Sequence, residues 1–159
     1  MRLFHVIASL GPGGAQRRLE ALCDTTGSTS NVVFPLFDHP GGRVFSSSGK
    51  TRVVSGRPRS LTFGTLSPTI GVLRQTIERE QPDVIVAWMY HAMFAVFLAT
   101  RRLPQKPKIL FMIRQSSPLS ASRSLLTRLL VVASGLLSRA SADRIVYVSK
   151  ETALFHEKF

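Results

Sequence analysis

Between an apolar run and an abruptly helical pattern, the segment "IASLGPGGAQRRLEAL" (residues 7–22) places Gly11, Gly13 and Gly14 around one proline. Glycines at such a junction let backbone N–H groups approach an anion, and the helix N-terminus adds a partial positive charge aimed at it. A phosphate suits that arrangement. The alternative is a tight turn that needs glycine only for its backbone angles. The dinucleotide fingerprint G-x-G-x-x-G would require glycine at position 16, where Gln16 stands, and no acidic ribose ligand is clearly placed about 20 residues on. This argues against a nicotinamide or flavin enzyme. The P-loop pattern fails as well, because no Gly-Lys-Ser/Thr follows.

Five further residues carry chemistry. Arg17 and Arg18 open the helix, where positive charge opposes the dipole, so one is expected to face an anion while the other is solvated. His91 follows "VIVAWMY" at the start of a helix. There an imidazole binds a ligand hydroxyl or senses a phosphate, or else simply caps the helix or lies at the surface. Trp88, at a strand end, either stacks on a sugar or packs into the core. Arg114 ends an apolar strand, a costly place for a guanidinium without an anion. That anion is a ligand or an internal carboxylate. His5, inside the first strand, reads as a satisfied core histidine. Cys23 is the single cysteine, so neither a disulfide framework nor a multi-thiolate metal site is available, and a reducing compartment fits.

The elements that must position these residues alternate. Residues 2–10 read as a buried strand, 15–23 as a helix and 31–37 as a second strand. The Gly-, Ser- and Pro-rich stretch that follows reads mainly as loop, with at most a short strand at 51–54. A helix over 66–80, a strand over 82–90, a helix over 91–102 and a strand over 107–114 come next. The series closes with a long helix over 122–141, a strand over 143–149 and the start of another helix. The strands are apolar throughout rather than alternating, which means a sheet buried on both sides. The expected fold is α/β: a Rossmann-like, mainly parallel sheet with helices on both faces. Ligands of such sheets bind beyond the carboxyl ends of the strands. Gly11–Gly14, Trp88–His91 and Arg114 all fall there and should converge.

The charge is extreme, with 21 Lys+Arg against 9 Asp+Glu and a net +12. Acidic residues are absent from His39 to Ile77 and from Val84 to Ala142, so the imbalance belongs to most of the chain. Such a field favours an anionic partner: nucleic acid, anionic lipid or a phosphorylated small molecule. Nucleic acid is disfavoured, since no helix-turn-helix, zinc or RNP-type signature occurs. No run of 18 apolar residues is present, and "GPGGAQRR" replaces the cleavage site that a signal peptide would need. In the 122–141 helix, leucines occupy a broad arc opposite Arg123, Arg128 and Arg139. That arc covers the sheet or docks on anionic lipid.

Four segments, "HVIASLGPGGAQRRLEAL", "QPDVIVAWMYHAMFAVFLATR", "ILFMIRQSS" and "ADRIVYVSKETALFHE", stand in one order and spacing. In both respects the chain resembles the N-terminal domain of GT-B retaining glycosyltransferases of family 4, especially bacterial enzymes that extend polysaccharide or lipid-linked glycans. The resemblance covers most of residues 1–159 and is weakest over 38–60. It implies one half of a two-domain enzyme, the half that chiefly receives a glycan or lipid-linked acceptor, with a nucleotide-sugar as co-substrate and neither metal nor other cofactor. Gly11, Gly13, Gly14, Arg17, Trp88, His91 and Arg114 are then the candidate binding residues, with His91 the candidate for catalysis. The paired-glutamate motif of the donor domain is not found: Glu151 and Glu157 are six apart. The chain is therefore expected to lack its donor domain and to be inactive alone, either as a truncated piece of a longer enzyme or as the partner of a separate donor-domain chain. The expected location is cytoplasmic, peripheral on an anionic membrane face. A non-catalytic domain that binds anionic glycan or lipid is the alternative.

Overall fold

The computed structural model describes residues 1–26, 29–39, 51–54, 58–59, 62–113, 137, 141–147 and 149–157. The chain runs β1 (Arg2–Ile7), α1 (Gly14–Thr25), β2 (Ser30–Pro35), β3 (Thr51–Val53), α2 (Phe63–Glu80), β4 (Val84–Trp88), α3 (Met89–Thr100), β5 (Lys108–Ile113), β6 (Arg144–Tyr147) and α4 (Lys150–Glu157). All five strand pairings are parallel, and the six strands lie in the order β3-β2-β1-β4-β5-β6. The fold is the Rossmann-like α/β sheet that the sequence leads one to expect.

Successive strand residues feed opposite faces, and both faces are covered. Phe4, Val6, Val32, Phe34, Ile85 and Phe111 join Leu73 and Ile77 of α2 and the apolar α3 in one cluster. Ile7, Val33, Val86 and Trp88 join Leu19 and Cys23 of α1 in the other. Being buried on both sides explains why β1, β2 and β4 read as continuous apolar runs. Helix α3 has no polar stripe because it lies against α2 as well as against β1, β4 and β5.

At the amino edge two aspartates, each one residue ahead of a strand, tie the sheet together. Asp83 Oδ2 accepts the Arg2 N–H at 2.6 Å, and Asp143 Oδ2 accepts the Ile109 N–H at 2.7 Å.

Two boundaries differ from the sequence reading for identifiable reasons. Helix α2 starts at Phe63 rather than Leu66, because Thr62 and Thr65 form a reciprocal capping box ahead of Pro68. Strand β4 stops at Trp88 and α3 begins at once, through Met89 in the left-handed region at φ 68°. The long helix expected over 122–141, with its leucine arc, falls almost wholly outside the described residues.

Candidate functional site

The strand order reverses between β1 and β4. From that point β2 and β3 extend one way, β5 and β6 the other. Crevices form at such switch points, beyond the carboxyl ends of the strands. The register fixes the edge: Ile7 pairs with Pro35 on one side and Trp88 on the other, and Trp88 pairs with Met112. The glycine loop after β1 and the α3 start after β4 therefore leave adjacent strands at the same edge. Arg114 follows β5 at that edge in sequence but lies outside the described residues.

The glycine loop has a different physical basis from the one its composition suggests. None of Gly11, Gly13 and Gly14 has a φ in the left-handed region, so backbone freedom is not what selects them. Close approach is. A Cβ on Gly11 would stand 2.2 Å from Cδ2 of His39, whose ring arrives from the end of β2. A Cβ on Gly13 would stand 2.3 Å from Gln16 Oε1, while Gln16 Nε2 donates to the Ser9 carbonyl at 3.0 Å. Gln16, the residue that breaks the dinucleotide fingerprint, is thus a strut inside the loop. Gly11 is buried, whereas Pro12 and Gly14 are exposed.

Both helices that start at this edge lack a side-chain cap. Among the described residues no side chain caps α1 at Gly13 or α3 at Trp88, and neither first turn holds an acidic residue. An uncapped N-terminus presents donors and partial positive charge to the same region. Arg17 is exposed just beyond the first turn of α1, its own N–H bonded to the Gly13 carbonyl at 3.2 Å.

His91 sits half-buried in the first turn of α3, where burial lowers its pKa and favours the neutral imidazole. Trp88 faces inward. It is 1% exposed, packed among Ile7, Val33 and Val86, with Nε1 donating to His5 Nδ1 at 3.4 Å. Of the two roles the sequence left open for Trp88, the structure has the core-packing one: at the last position of β4 its side chain turns into the α1 face. His5, fully buried between Asn31 and Trp88, is the satisfied core histidine expected.

Cys23 is buried, and desolvation pushes its thiol up to about 11, which leaves it protonated and inert. Among the described residues no group of three His, Cys, Asp or Glu side chains is placed to hold a metal ion. No helix among them is long and apolar enough to cross a membrane. Two open clefts, of about 290 and 610 Å³, lie at the opposite, amino edge around Lys106, Pro107 and Lys108 and include none of these residues.

Sequence reasoning missed His39, Gln16 and Met89. Gln16 carried a usable signal, since a long amide stands where a third glycine would allow closer packing. His39 sits at the head of a Gly-, Ser- and Pro-rich stretch and carried none.

HepE from Anabaena, in complex with UDP and glucose, superimposes with a TM-score of 0.71 at 14% identity, over 98% of this chain and 40% of that one. Sucrose-phosphate synthase from Thermosynechococcus elongatus gives 0.72 at 11% identity, over 99% of this chain and 45% of that one. The chain thus spans less than half the length of these structures, and at such identities the likeness speaks for the fold. Among curated proteins none matches by sequence. The profile described as Glycosyltransferase Family 4 matches residues 12–158, nearly the whole chain. By that match the chain belongs to glycosyltransferase family 4.

Proposed function

We propose that the chain forms the acceptor-side half of an enzyme that moves a sugar, with retention at the anomeric carbon, from a nucleotide-sugar to a glycan or lipid-linked acceptor. One observation supports this reading beyond family membership: two helix N-termini without side-chain caps or acidic residues in their first turns, α1 and α3, start from adjacent strands at the β1–β4 switch point. Charge develops on the departing nucleotide phosphate in such a transfer, and preorganised N–H donors stabilise it. Arg17 adds positive charge, and Arg114, next after β5 in the sequence, is the further cationic candidate. A neutral His91 both donates and accepts, which suits an acceptor hydroxyl.

In this reading the half that grips the nucleotide-sugar belongs to a donor domain, supplied by the same polypeptide or by a separate chain. Calorimetry with UDP-glucose and related nucleotide-sugars tests it. The 159-residue chain should bind them weakly and transfer no sugar, and activity should appear when a donor-domain chain is added. Tight, sugar-selective binding by the chain alone would refute the half-enzyme assignment.

The charge of +12 favours a second reading, in which the basic surface holds the chain on anionic lipid at the inner face of a membrane, with or without catalysis. Flotation should then fall as salt rises and be absent with neutral vesicles. Equal binding to neutral and anionic vesicles would sink it.

A further inference from the structure

Beneath the switch point a buried polar chain crosses three strands. His5 stands in β1 with no exposed surface, its Nε2 3.2 Å from Asn31 Oδ1 on β2 and its Nδ1 3.4 Å from Trp88 Nε1 on β4. The directions of these bonds are forced from both ends. Asn31 Nδ2 donates to Thr26 Oγ1 at 3.0 Å and to the Thr29 carbonyl at 3.4 Å. A carbonyl only accepts, so Oδ1 is the atom that faces His5. At the other end an indole N–H only donates. His5 therefore carries its proton on Nε2 and keeps Nδ1 as an acceptor, a neutral ring in one tautomer. A cationic ring would turn an N–H towards the N–H of Trp88.

Trp88 is the residue from which α3 starts. It ends β4, stands at the N-cap, and is followed by Met89 at φ 68° and by His91 in the first turn. We propose that His5 is a positioning residue: its neutral ring clamps Trp88 and so holds the β4–α3 turn that presents His91, and protonation of His5 opens the clamp. The consequence for ligand binding rests on the reading of this edge as the site; the clamp itself does not.

The groups around His5 leave it little company for a charge. From β2 it meets Asn31, and from β4 Trp88. On the packed face of α1 the titratable side chain is Cys23, a neutral thiol, flanked by half-buried Glu20 and exposed Asp24. Burial accordingly drives the His5 pKa down to about 4, with the Asn31 bond acting in the opposite direction.

Trp88 is the chain's single tryptophan, so its emission reads the clamp directly. On acidification the wild-type emission should change while the far-UV circular dichroism is still native. In His5→Gln, whose amide donates to Asn31 and accepts from Trp88 without titrating, that change should vanish and the His91 ring resonances should stay at their wild-type positions in NMR. In His5→Leu the indole N–H loses its acceptor, and the His91 resonances and titration midpoint should move in folded protein. Three results would each overturn the proposal: an emission change that occurs only together with loss of circular dichroism, acid-sensitive emission that persists in His5→Gln, or His91 signals unmoved in His5→Leu. If His5→Leu does not fold, the comparison of wild type with His5→Gln still decides. None of these readouts involves a nucleotide-sugar, so failure here is separate from failure of the transferase assignment.

Discussion

Two junctions leave neighbouring strands at the same edge and are built on opposite plans. Between β1 and α1 the chain spends residues 8–13 on a loop whose glycines admit the side chains of His39 and Gln16. Between β4 and α3 it spends none, turning through a single left-handed methionine above a buried tryptophan. The first junction is shaped by what approaches its backbone. The second is shaped by what lies under it. Loss of buried side chains should therefore damage the second most, and added atoms should damage the first.

The largest effect is expected at the β4–α3 junction. Trp88→Ala removes a fully buried indole and strips His5 of a partner, and large aromatic-to-alanine truncations cost about 3–5 kcal/mol. Urea denaturation followed by circular dichroism measures it. A loss below about 1 kcal/mol, the size of an ordinary surface effect, would mean that the turn is held by something other than the core beneath it.

Acid should find the same junction. The His5 pKa is about 4 when folded against 6.5 unperturbed, so the unfolded chain binds the extra proton between those values and stability falls as pH drops from about 6.5 towards 4. At 1.36 kcal/mol per unit, this group's contribution is about 3 kcal/mol, fully present above the upper value and lost below the lower. The His91 shift has the same sign. His5→Gln should flatten the pH dependence of the urea midpoint over that window, and an unchanged slope would contradict it.

At the β1–α1 loop the expected damage is smaller and comes from addition. Gly11→Ala needs no forbidden backbone angle, so its cost should come from displacing the His39 ring, about 1–3 kcal/mol on the scale of overpacking. In a His39→Ala background most of that cost should disappear. A double-mutant cycle with no coupling would show that the two residues do not meet as described.

The two junctions also differ in how much of them the sequence discloses. Glycine and proline punctuate the first, so its place between strand and helix is legible. Its internal packing is not, because His39 contributes from 28 positions further along the chain. At the second, "VIVAWMYHAMF" is almost wholly apolar across strand, turn and helix alike, because α3 packs against α2 as well as the sheet, and no change of period marks the boundary. The alternation of strands and helices, their order and the shared edge follow from pattern. The burial of Trp88 does not, since residue type fixes neither its rotamer nor the face it joins. Nothing in composition shows that the polar atoms of His5, Asn31 and Trp88 are satisfied by one another.

The smallest effect concerns Gly14, and it separates the two explanations for a glycine in such a loop. Gly14 is the exposed first residue of α1, its φ is not left-handed, and among the described residues a Cβ there meets nothing within 4 Å. Considered as protein alone, the site has no reason to be glycine. Alanine lowers the entropy of the unfolded chain, so Gly14→Ala should raise stability by about 0.4–1 kcal/mol, a small rise in melting temperature. The backbone N–H survives the change, but the space in front of it does not. If a phosphate approaches the α1 N-terminus there, the stabilised variant should bind UDP-glucose more weakly than wild type, or transfer sugar more slowly when the donor half is supplied. That split between gained stability and lost binding is the signature of a glycine kept for a ligand. If Gly14→Ala is more stable and binds unchanged, the ligand does not reach Gly14, and the approach to the switch point lies on the α3 side, at His91.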